Sequence, residues 1–204
     1  KKQPFNENSP VGHPLSLYAA TKRSNELLAH SYSNIHKLPA TGLRFFTVYG
    51  PWGRPDMAPF IFTKSILEDK PIKIFNFGRM ERDFTYIDDI SEAVTKCCYK
   101  KAISSESFNN EYPENAISFA PHRIFNIGNS KSINLLYFIE TIEKELGKKA
   151  IKIYEPIQAG DVLSTYSDTN KLEKWIDYKP KTSVEKGVKL FIDWYKKYYN
   201  YKNF

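Results

Sequence analysis

The chain has 204 residues, 41% of them hydrophobic and 15% aromatic, which is enough to bury the core of one large domain or a domain and a half. Its formal charge of +7 raises the question of a nucleic-acid partner, but the basic residues occur singly or in pairs interleaved with acids, which indicates a solvated surface. The two cysteines, Cys97 and Cys98, are adjacent, a poor arrangement for a disulfide framework or a metal site, and this favours a reducing, cytoplasmic setting. No apolar run approaches the roughly 20 residues that span a bilayer, so we expect neither a membrane nor nucleic acid as partner.

The first predicted elements are a long helix and a buried strand. Residues 1–10 contain no Met and read as a loop already in progress, so we expect an upstream segment outside this chain. A helix is predicted over residues 16–38, because Ser16 suits an N-cap and Pro39 prevents continuation. Its packed face is expected to consist of apolar and small residues at helical spacing: Leu17, Ala20, Leu27, Leu28 and Ser31. Residues 40–50 then read as a buried strand that ends at a glycine.

The middle of the chain alternates short elements with loops. A loop rich in proline and glycine is followed by a helix, a short strand, a second strand and another helix: residues 50–59, 60–69, 72–75, 83–87 and 88–99. Asp88 or Asp89 is expected to cap the last of these helices. Residues 104–121 are rich in Ser, Asn, Glu and Pro and contain no recognisable motif, so we expect a mobile surface excursion there.

The last third of the chain continues the same rhythm. A strand over residues 123–128, a helix over 135–146 closed by Gly147, and a strand over 151–154 are predicted. A tail helix begins at a capping box of Thr182 and Glu185. Its buried face is expected to belong to the core: Val184, Val188, Phe191, Tyr195 and Tyr198. Because helices alternate with strands, the pattern predicts the α/β class.

Tyr18 and Lys22 are the first candidates for chemistry. They lie one helical turn apart, and a nearby cation favours the phenolate, so such a tyrosine can act as a general base well below its usual pKa of about 10. The spacing alone is weak evidence, because Tyr198 and Lys202 form a second pair of the same kind. That second pair lies in the tail, where a solvated helix face is the expected structure.

The surroundings of the first pair resemble a known family. Residues 16–22, the following Asn25-Glu26-Leu27 and residues 43–51 together resemble the extended short-chain dehydrogenase family. The resemblance implies that Tyr18 is the acid/base on a sugar hydroxyl, that Lys22 also holds the nicotinamide ribose, and that Phe45 is among the residues that bind NAD. It also implies a homodimer formed through the helix that contains Tyr18.

The loop over residues 49–58 resembles UDP-glucuronate 4-epimerases more than galactose epimerases or 4,6-dehydratases. Many relatives have an Asn where this chain has Thr47. A uronate has a carboxylate that neutral sugars lack, and the Thr47 hydroxyl with the Arg54 guanidinium are candidates to bind it. The alternatives are that Arg54 bonds to the backbone or to NAD, and that Thr47 is a strand-end hydroxyl without a ligand.

Three further residues match positions that bind the nucleotide in this family. By resemblance, Arg82 grips the diphosphate, for which a guanidinium fork has the right geometry. Phe75 falls where relatives stack an aromatic ring on uracil, although core packing accounts for it almost as well. Asp161 matches an acid near the nucleotide ribose, or is a turn residue.

The expected architecture is a partial Rossmann-type, doubly wound parallel sheet with a smaller α/β substrate region. Residues 1–49 and 84–128 are assigned to the sheet, and residues 50–83 and 129–204 to the substrate region. The nine glycines include no Gly-rich turn that cradles a pyrophosphate, so that part is expected upstream.

The resemblance implies NAD-dependent C4 epimerisation of a UDP-sugar, most closely UDP-glucuronate, through a 4-keto intermediate, in polysaccharide biosynthesis. Alternatives are another UDP-sugar epimerase, a decarboxylase or a dehydratase of the same family. A different class of alternative is a non-catalytic remnant that binds sugar nucleotides.

Overall fold

The computed structural model describes residues 3–158 and 161–201. Within these residues the chain forms six helices and eight strands, together with a 3-10 turn at Phe75–Gly78. The helices are α1 (Leu17–His36), α2 (Ala58–Leu67), α3 (Ile87–Tyr99), α4 (Leu135–Leu146), α5 (Asn170–Ile176) and α6 (Val184–Tyr198). The strands are β1 (Ala40–Phe45), β2 (Thr47–Tyr49), β3 (Pro71–Ile74), β4 (Glu81–Arg82), β5 (Phe84–Tyr86), β6 (His122–Ile127), β7 (Ile133–Asn134) and β8 (Ile151–Tyr154).

The strands β1 and β2 form one extended run that changes its partner at Phe46. β1 pairs in parallel with β6 up to the contact of Phe45 with Ile127, and β2 pairs in parallel with β5 from the contact of Thr47 with Phe84. At the change, the Phe46 N–H donates to the carbonyl of Ile127 at 3.3 Å. The run therefore belongs to two parallel pairs at once, and the predicted α/β class with parallel strands is confirmed.

Two further strand pairs complete the sheets. β3 pairs in parallel with β8, whereas β4 and β7 form a short antiparallel pair that the sequence pattern did not indicate. The predicted bounds of α4, its left-handed cap at Gly147 and the bounds of β8 are all confirmed. A 3-10 turn follows β3 because Asn76 and Phe77 both adopt positive φ, which ends the extended conformation.

An aromatic core joins α2, α4 and α6 to β3 and β5. Its fully or almost fully buried members include Phe60, Ile66, Ile74, Phe84, Phe138, Ile142, Val188, Phe191 and Tyr195. Two predictions for α6 were wrong in detail. Tyr198 is 51% exposed and stacks on Trp194 rather than entering the core. The N-cap is Ser183, whose hydroxyl accepts from the Lys186 N–H at 3.3 Å, and not Thr182.

A second, smaller core lies between α3, β6 and α5. It contains buried residues of these elements together with Tyr178, two residues after α5: Ile90, Ala93, Cys97, Phe125, Ile127, Leu172, Ile176 and Tyr178. The short helix α5 was not predicted. The N-cap of α3 is Tyr86, so the expectation that Asp88 or Asp89 caps it was wrong. Asp89 lies inside the first turn, where its buried carboxylate accepts from the Tyr178 hydroxyl at 3.2 Å.

Helix α1 packs differently from the prediction. Ser16 is its N-cap as expected, and its hydroxyl accepts from the Ala19 N–H at 3.1 Å. The expected packed face was wrong, because Leu17, Leu27, Leu28 and Ser31 are exposed, and only Ala20 is half-buried. The residues of α1 that face the rest of the chain are mainly polar: Arg23, Glu26, His30 and Ser33.

Residues 104–121 are in part the surface excursion that was predicted, since residues 109–114 are all exposed, but the last part of the segment is anchored to the fold. Ala116, Ser118 and Ala120 are buried, and the carbonyl of Ala116 accepts from the Ile124 N–H of β6 at 3.1 Å. The Ser118 hydroxyl lies 2.6 Å from His30 Nε2 of α1. The last part of the segment therefore contacts both α1 and β6.

None of the helices in residues 3–158 and 161–201 is long and apolar enough to cross a membrane.

Candidate functional site

A cleft of about 490 Å³ opens where the β1–β2 run changes partner. Ligands of parallel α/β sheets bind where the strands on either side of a crevice diverge, because the backbone there leaves a gap. Four of the predicted site residues line this cleft together: Phe45, Thr47, Arg82 and Asp161. The structure thus brings together residues that are separated by more than a hundred positions in the chain.

Arg82 and Asp161 form an ion pair in the wall of the cleft. The Arg82 Nη2 donates to Asp161 Oδ1 at 2.7 Å, and Arg82 Nη1 donates to the carbonyl of Glu81 at 2.9 Å. Asp161 Oδ1 also accepts from the Val162 N–H at 2.8 Å. Because the guanidinium is held at one edge by these contacts, its remaining N–H groups are available to an anionic ligand in the cleft.

Asp83, next to Arg82, is fully buried and connects three segments around the cleft. Its carboxylate accepts from the Asn129 N–H at 2.8 Å, the Ser130 N–H at 3.1 Å, and both the N–H and hydroxyl of Ser167, at 3.0 and 2.6 Å. These contacts satisfy the buried charge and hold β5 against the segments that follow β6 and precede α5. Sequence reasoning missed Asp83, although a carboxylate at the start of a predicted strand was a usable signal.

Tyr18 and Lys22 lie in the first turns of α1, outside the lining of the cleft. The Lys22 ammonium is 5.3 Å from the centroid of the Tyr18 ring, so the two side chains are adjacent as predicted from their spacing. Tyr18 is 71% exposed. Within the described parts of the chain, neither its hydroxyl nor the Lys22 ammonium makes a hydrogen bond, so both groups are available to a ligand.

Of the second pair with the same spacing, Tyr198 and Lys202, Lys202 lies outside the described residues. Tyr198 packs on Trp52 and Trp194, with ring centroids 5.0 and 5.1 Å away. This packing is that of a structural aromatic residue.

The two candidate carboxylate ligands line neighbouring clefts. Thr47 lines the main cleft, whereas Arg54 lines a second cleft of about 400 Å³, and Phe46 borders both. Arg54 is exposed, and its Nε lies 3.5 Å from Asp56 Oδ1, a weak surface pair. The guanidinium is therefore not committed to the protein interior.

Phe75 lies apart from both clefts. It was predicted on a strand, but β3 ends at Ile74, and Phe75 opens the 3-10 turn as a half-buried residue. It lines neither cleft.

The N-terminal segment also lines the main cleft, which the sequence did not suggest. Phe5, Asn6 and Ser9 form one wall. The Phe5 N–H donates to the Tyr166 carbonyl at 3.0 Å, and Asn126 Nδ2 donates to the Phe5 carbonyl at 2.7 Å. The N-terminal loop has no periodic pattern, so its position beside the cleft could not be predicted from its own sequence. The polar Asn126 within a strand was a signal that this strand bonds to another segment.

No group of three or more His, Cys, Asp or Glu side chains suited to a metal ion occurs in the part of the chain that the structure describes.

Comparison with known proteins identifies the family of the chain. The model of the NAD dependent epimerase/dehydratase family matches residues 1–110. The chain belongs to this family. The resemblance found in the sequence is thereby confirmed. The chain is 51% identical over 197 residues to Protein CapI of Staphylococcus aureus, and 45% identical over 203 residues to a probable UDP-glucuronate 4-epimerase of Rhizobium meliloti.

These alignments include 97% and 98% of the chain but 59% of each relative, so the chain spans about three fifths of the length of these relatives. Among solved structures, UDP-glucuronic acid 4-epimerase from Bacillus cereus, in complex with UDP-glucuronic acid and NAD, is 35% identical with a TM-score of 0.76. That match covers 92% of this chain and 55% of the Bacillus cereus chain. The epimerase fold around the cleft is therefore shared with proteins that bind a sugar nucleotide.

Proposed function

We propose that the full-length protein containing this chain epimerises UDP-glucuronate at C4 with NAD as cofactor. The observation that carries the proposal is the cleft at Phe46, where Thr47, Arg82 and Asp161 meet. The proposal is supported by the identity of 45% to a probable UDP-glucuronate 4-epimerase and of 35% to a structure containing UDP-glucuronic acid and NAD.

The residues of this chain fit the nicotinamide half of NAD. Lys22 has an uncommitted ammonium that can donate to ribose hydroxyls, and Phe45 offers an exposed ring at the edge of the cleft. When bound, NAD supplies the hydride acceptor for C4 oxidation and the hydride donor for C4 reduction. The nine glycines of the sequence include no Gly-rich motif of the kind that holds a pyrophosphate, so the proposal assigns to this chain the nicotinamide half of NAD alone.

Tyr18 is the proposed acid and base. Its hydroxyl oxygen would take up the proton of the sugar C4 hydroxyl as C4 is oxidised, with bound NAD as the hydride acceptor, and the Lys22 ammonium lies beside its ring. The 4-keto sugar then turns in the site. The hydride would return from bound NAD to the opposite face of C4, and the Tyr18 hydroxyl would give the proton back to the oxygen, so that the enzyme ends in its starting state.

The remaining site residues hold the substrate. We assign Arg82 to the diphosphate and Asp161 to the nucleotide ribose, and, on the resemblance alone, Phe75 to the uracil ring, although Phe75 lines neither cleft. Thr47 and Arg54 are assigned to the carboxylate. Oxidation of glucuronate at C4 produces a β-keto acid, which loses CO₂ when its carboxylate bond aligns with the carbonyl π system. A 4-epimerase must therefore restrain the carboxylate.

We further propose the assignment of residues 1–49 and 84–128 to the cofactor part and of residues 50–83 and 129–204 to the substrate part. The exposed apolar side chains of α1, among them Leu28 at 61% exposure, support a homodimer formed through this helix. Cytoplasmic polysaccharide biosynthesis is the proposed setting, because epimerised UDP-sugars are donors for glycan synthesis.

Product analysis by mass, with the full-length protein and NAD, tests the substrate. We expect turnover of UDP-glucuronate and poor turnover of UDP-glucose. Thr47→Ala or Arg54→Ala should slow epimerisation and raise the fraction of decarboxylated 4-keto-pentose about tenfold or more, because a charge-assisted contact contributes about 1.5 to 3 kcal/mol.

Matched controls are Thr95→Ala, which removes an exposed hydroxyl of α3, and Lys189→Ala on α6. Both should leave the product ratio unchanged. Equal turnover of the two sugars, combined with product ratios that neither site substitution alters, would contradict the carboxylate assignment.

A further inference from the structure

Helix α1 is held to the rest of the chain mainly by polar contacts. Ser33 is its one buried residue within the described structure, and its other inward residues, among them Arg23, Glu26 and His30, are half-buried. A helix packed through apolar side chains is held by many small contacts, whereas α1 depends on a few directional ones. The position of Tyr18 and Lys22 therefore depends on those few contacts.

The strongest of these contacts joins Glu26 to Arg44 of β1. Arg44 Nε donates to Glu26 Oε1 at 2.7 Å, and Arg44 Nη2 donates to Glu26 Oε2 at 3.0 Å, a two-point pairing with side chains only 18% and 21% exposed. Arg44 Nη1 donates to the carbonyl of Glu7 at 2.9 Å. Burial alone would raise the pKa of the Glu26 carboxyl, but hydrogen bonds from Arg44 and Arg23 outweigh it and lower that pKa.

The pair joins two parts of the proposed active site along the chain. Glu26 follows Tyr18 by two helical turns, about 12 Å along α1, and follows Lys22 by one turn. Arg44 itself lines the cleft and directly precedes Phe45, so its backbone continues into the partner change. One ion pair thus connects the helix of the proposed base with the strand that borders the substrate cleft.

The other polar contacts of α1 are made with residues 104–121 and not with the cleft. Arg23 Nη2 donates to Asn115 Oδ1 at 3.2 Å, and His30 lies 2.6 Å from Ser118 Oγ. Both partners belong to residues 104–121, which do not line the cleft. These contacts attach α1 to a surface segment, and Arg44 attaches it to the cleft.

We propose that Glu26 and Arg44 are positioning residues that set the placement of Tyr18 relative to the sugar C4. Neither is assigned a contact with the substrate. This inference rests on the proposed function. A displacement of about 1 Å between a catalytic group and its substrate can cost about 10²-fold in rate, so a two-point pair of fixed geometry is a suitable device.

The test uses the full-length protein with NAD and UDP-glucuronate, and the variants Glu26→Gln, Arg44→Lys and their combination. We expect each single variant to lower kcat about 10- to 100-fold with KM changed less than about twofold. The double variant should be no slower than the slower single one, because both changes break the same contact. Asn115→Ala, which removes a contact of α1 on its other side, should keep kcat.

Amide hydrogen exchange supplies a readout that is independent of turnover. In Glu26→Gln we expect faster exchange in residues 17–36, with exchange in α4 unchanged. If the full-length protein turns over no UDP-sugar, the proposed function fails and the positioning role fails with it, whereas unchanged exchange in residues 17–36 of an active protein overturns the positioning role alone.

Three outcomes would overturn the inference: an unchanged kcat, losses of kcat in the single variants that multiply in the double variant, or faster exchange throughout the protein with a parallel rise in KM. If Glu26→Gln does not fold, Glu26→Asp takes its place, because it keeps the charge and withdraws the carboxylate by one methylene. A folded Glu26→Asp protein with full kcat would also overturn it.

Discussion

The aromatic core around α4 and α6 is packed through apolar side chains, whereas α1 packs on β1 and β6 through polar ones. We call the second region, which contains Arg23, Glu26, His30, Arg44 and His122, the polar seam. In the aromatic core, the inward positions of α6 are apolar, and Phe191 is fully buried against Phe60 with ring centroids 5.0 Å apart. In the polar seam, the inward positions of α1 are charged or polar, and its apolar side chains are exposed. Apolar periodicity therefore identifies the buried face only where a helix is covered by its own chain.

The largest stability effect is expected in the aromatic core. Phe191→Ala should lower the free energy of unfolding of the full-length protein by about 3 to 5 kcal/mol, because it removes a fully buried ring and leaves a cavity. Leu190→Ala, the adjacent but partly exposed position on α6, should cost less than about 1 kcal/mol. Urea unfolding measures both. Similar losses at the two positions would show that this face of α6 is not a closed core.

Removing the hydroxyl of Tyr18 on α1 and of Tyr198 on α6 should affect turnover very differently. Tyr18→Phe should reduce turnover at least about 10²-fold while the protein keeps its fold and NAD, because the change deletes the proton acceptor and little volume. Tyr198→Phe should be nearly neutral, since that ring packs on Trp194 and Trp52. Steady-state kinetics with UDP-glucuronate decide. Equal losses would mean that the acid/base role is assigned to the wrong tyrosine.

A buried ion pair beside the aromatic core should respond to strong acid. Glu143 is fully buried. Burial alone would raise its carboxyl pKa, but hydrogen bonds from Lys149, Lys152 and the Ala150 N–H lower that pKa to about 2. Because the folded pKa is depressed, the stabilisation is complete above the unfolded pKa of about 4.3 and is lost as the pH falls through about 2.

Glu143→Gln should therefore cost about 2 kcal/mol at pH 7, and its difference from the parent protein should shrink below pH 4. Asp193→Asn, in an exposed pair with Lys189, serves as the control and should cost less than about 0.5 kcal/mol. Unfolding free energies at pH 7, 4 and 3 provide the measurement. A penalty for Glu143→Gln that stays constant with pH would contradict the assignment.

The polar seam should respond to milder acid. Burial, followed by the charge of His30, lowers the pKa of His122 to about 4, whereas nearby Glu26 raises it and Arg23 lowers it. Between pH 4 and 6.5 the unfolded chain binds more protons than the folded one, so the stability from this residue falls as the pH drops through that window.

We expect His122 to account for about 1.5 kcal/mol of the stability lost between pH 7 and pH 5. His122→Gln should remove that share of the pH dependence, while His13→Gln, at an exposed position, should not. Chemical unfolding at several pH values compares the slopes. Identical slopes in the parent protein and His122→Gln would show that the histidine is not held in its neutral form.

Sequence-based prediction succeeded for elements that pack through apolar side chains at regular spacing and failed where the packing is polar or the element is short. The bounds of α4 and β8 were predicted correctly because Gly147 ends α4, whose apolar residues recur at helical spacing, and because apolar residues alternate with a polar one in β8. Helix α5 was missed because its two buried positions, Leu172 and Ile176, span a single turn and give too short a pattern. The inward face of α1 was missed because ion pairs have no periodic signature.

The site was predicted in part. Four residues recognised by resemblance meet in the main cleft: Phe45, Thr47, Arg82 and Asp161. Each could be recognised from its own local motif, although the four lie far apart in the sequence. Arg54 and Phe75 do not line that cleft, and Asp83 and Asn126 were not recognised. Asp83 and Asn126 form hydrogen bonds between segments that are distant in sequence, such as the one from the Asn129 N–H to the Asp83 carboxylate. No sequence motif links such segments, so these contacts could not be predicted.

The change of partner at Phe46 has a consequence for engineering the protein. Side chains of a strand alternate between faces, so inserting or deleting one residue at position 46 would reverse every later side chain of the run. Thr47 would leave the cleft, and Tyr49 would leave the aromatic core. Because one continuous backbone sets both registers, the chain cannot be split or lengthened there, and new segments are better introduced in exposed loops such as residues 109–114.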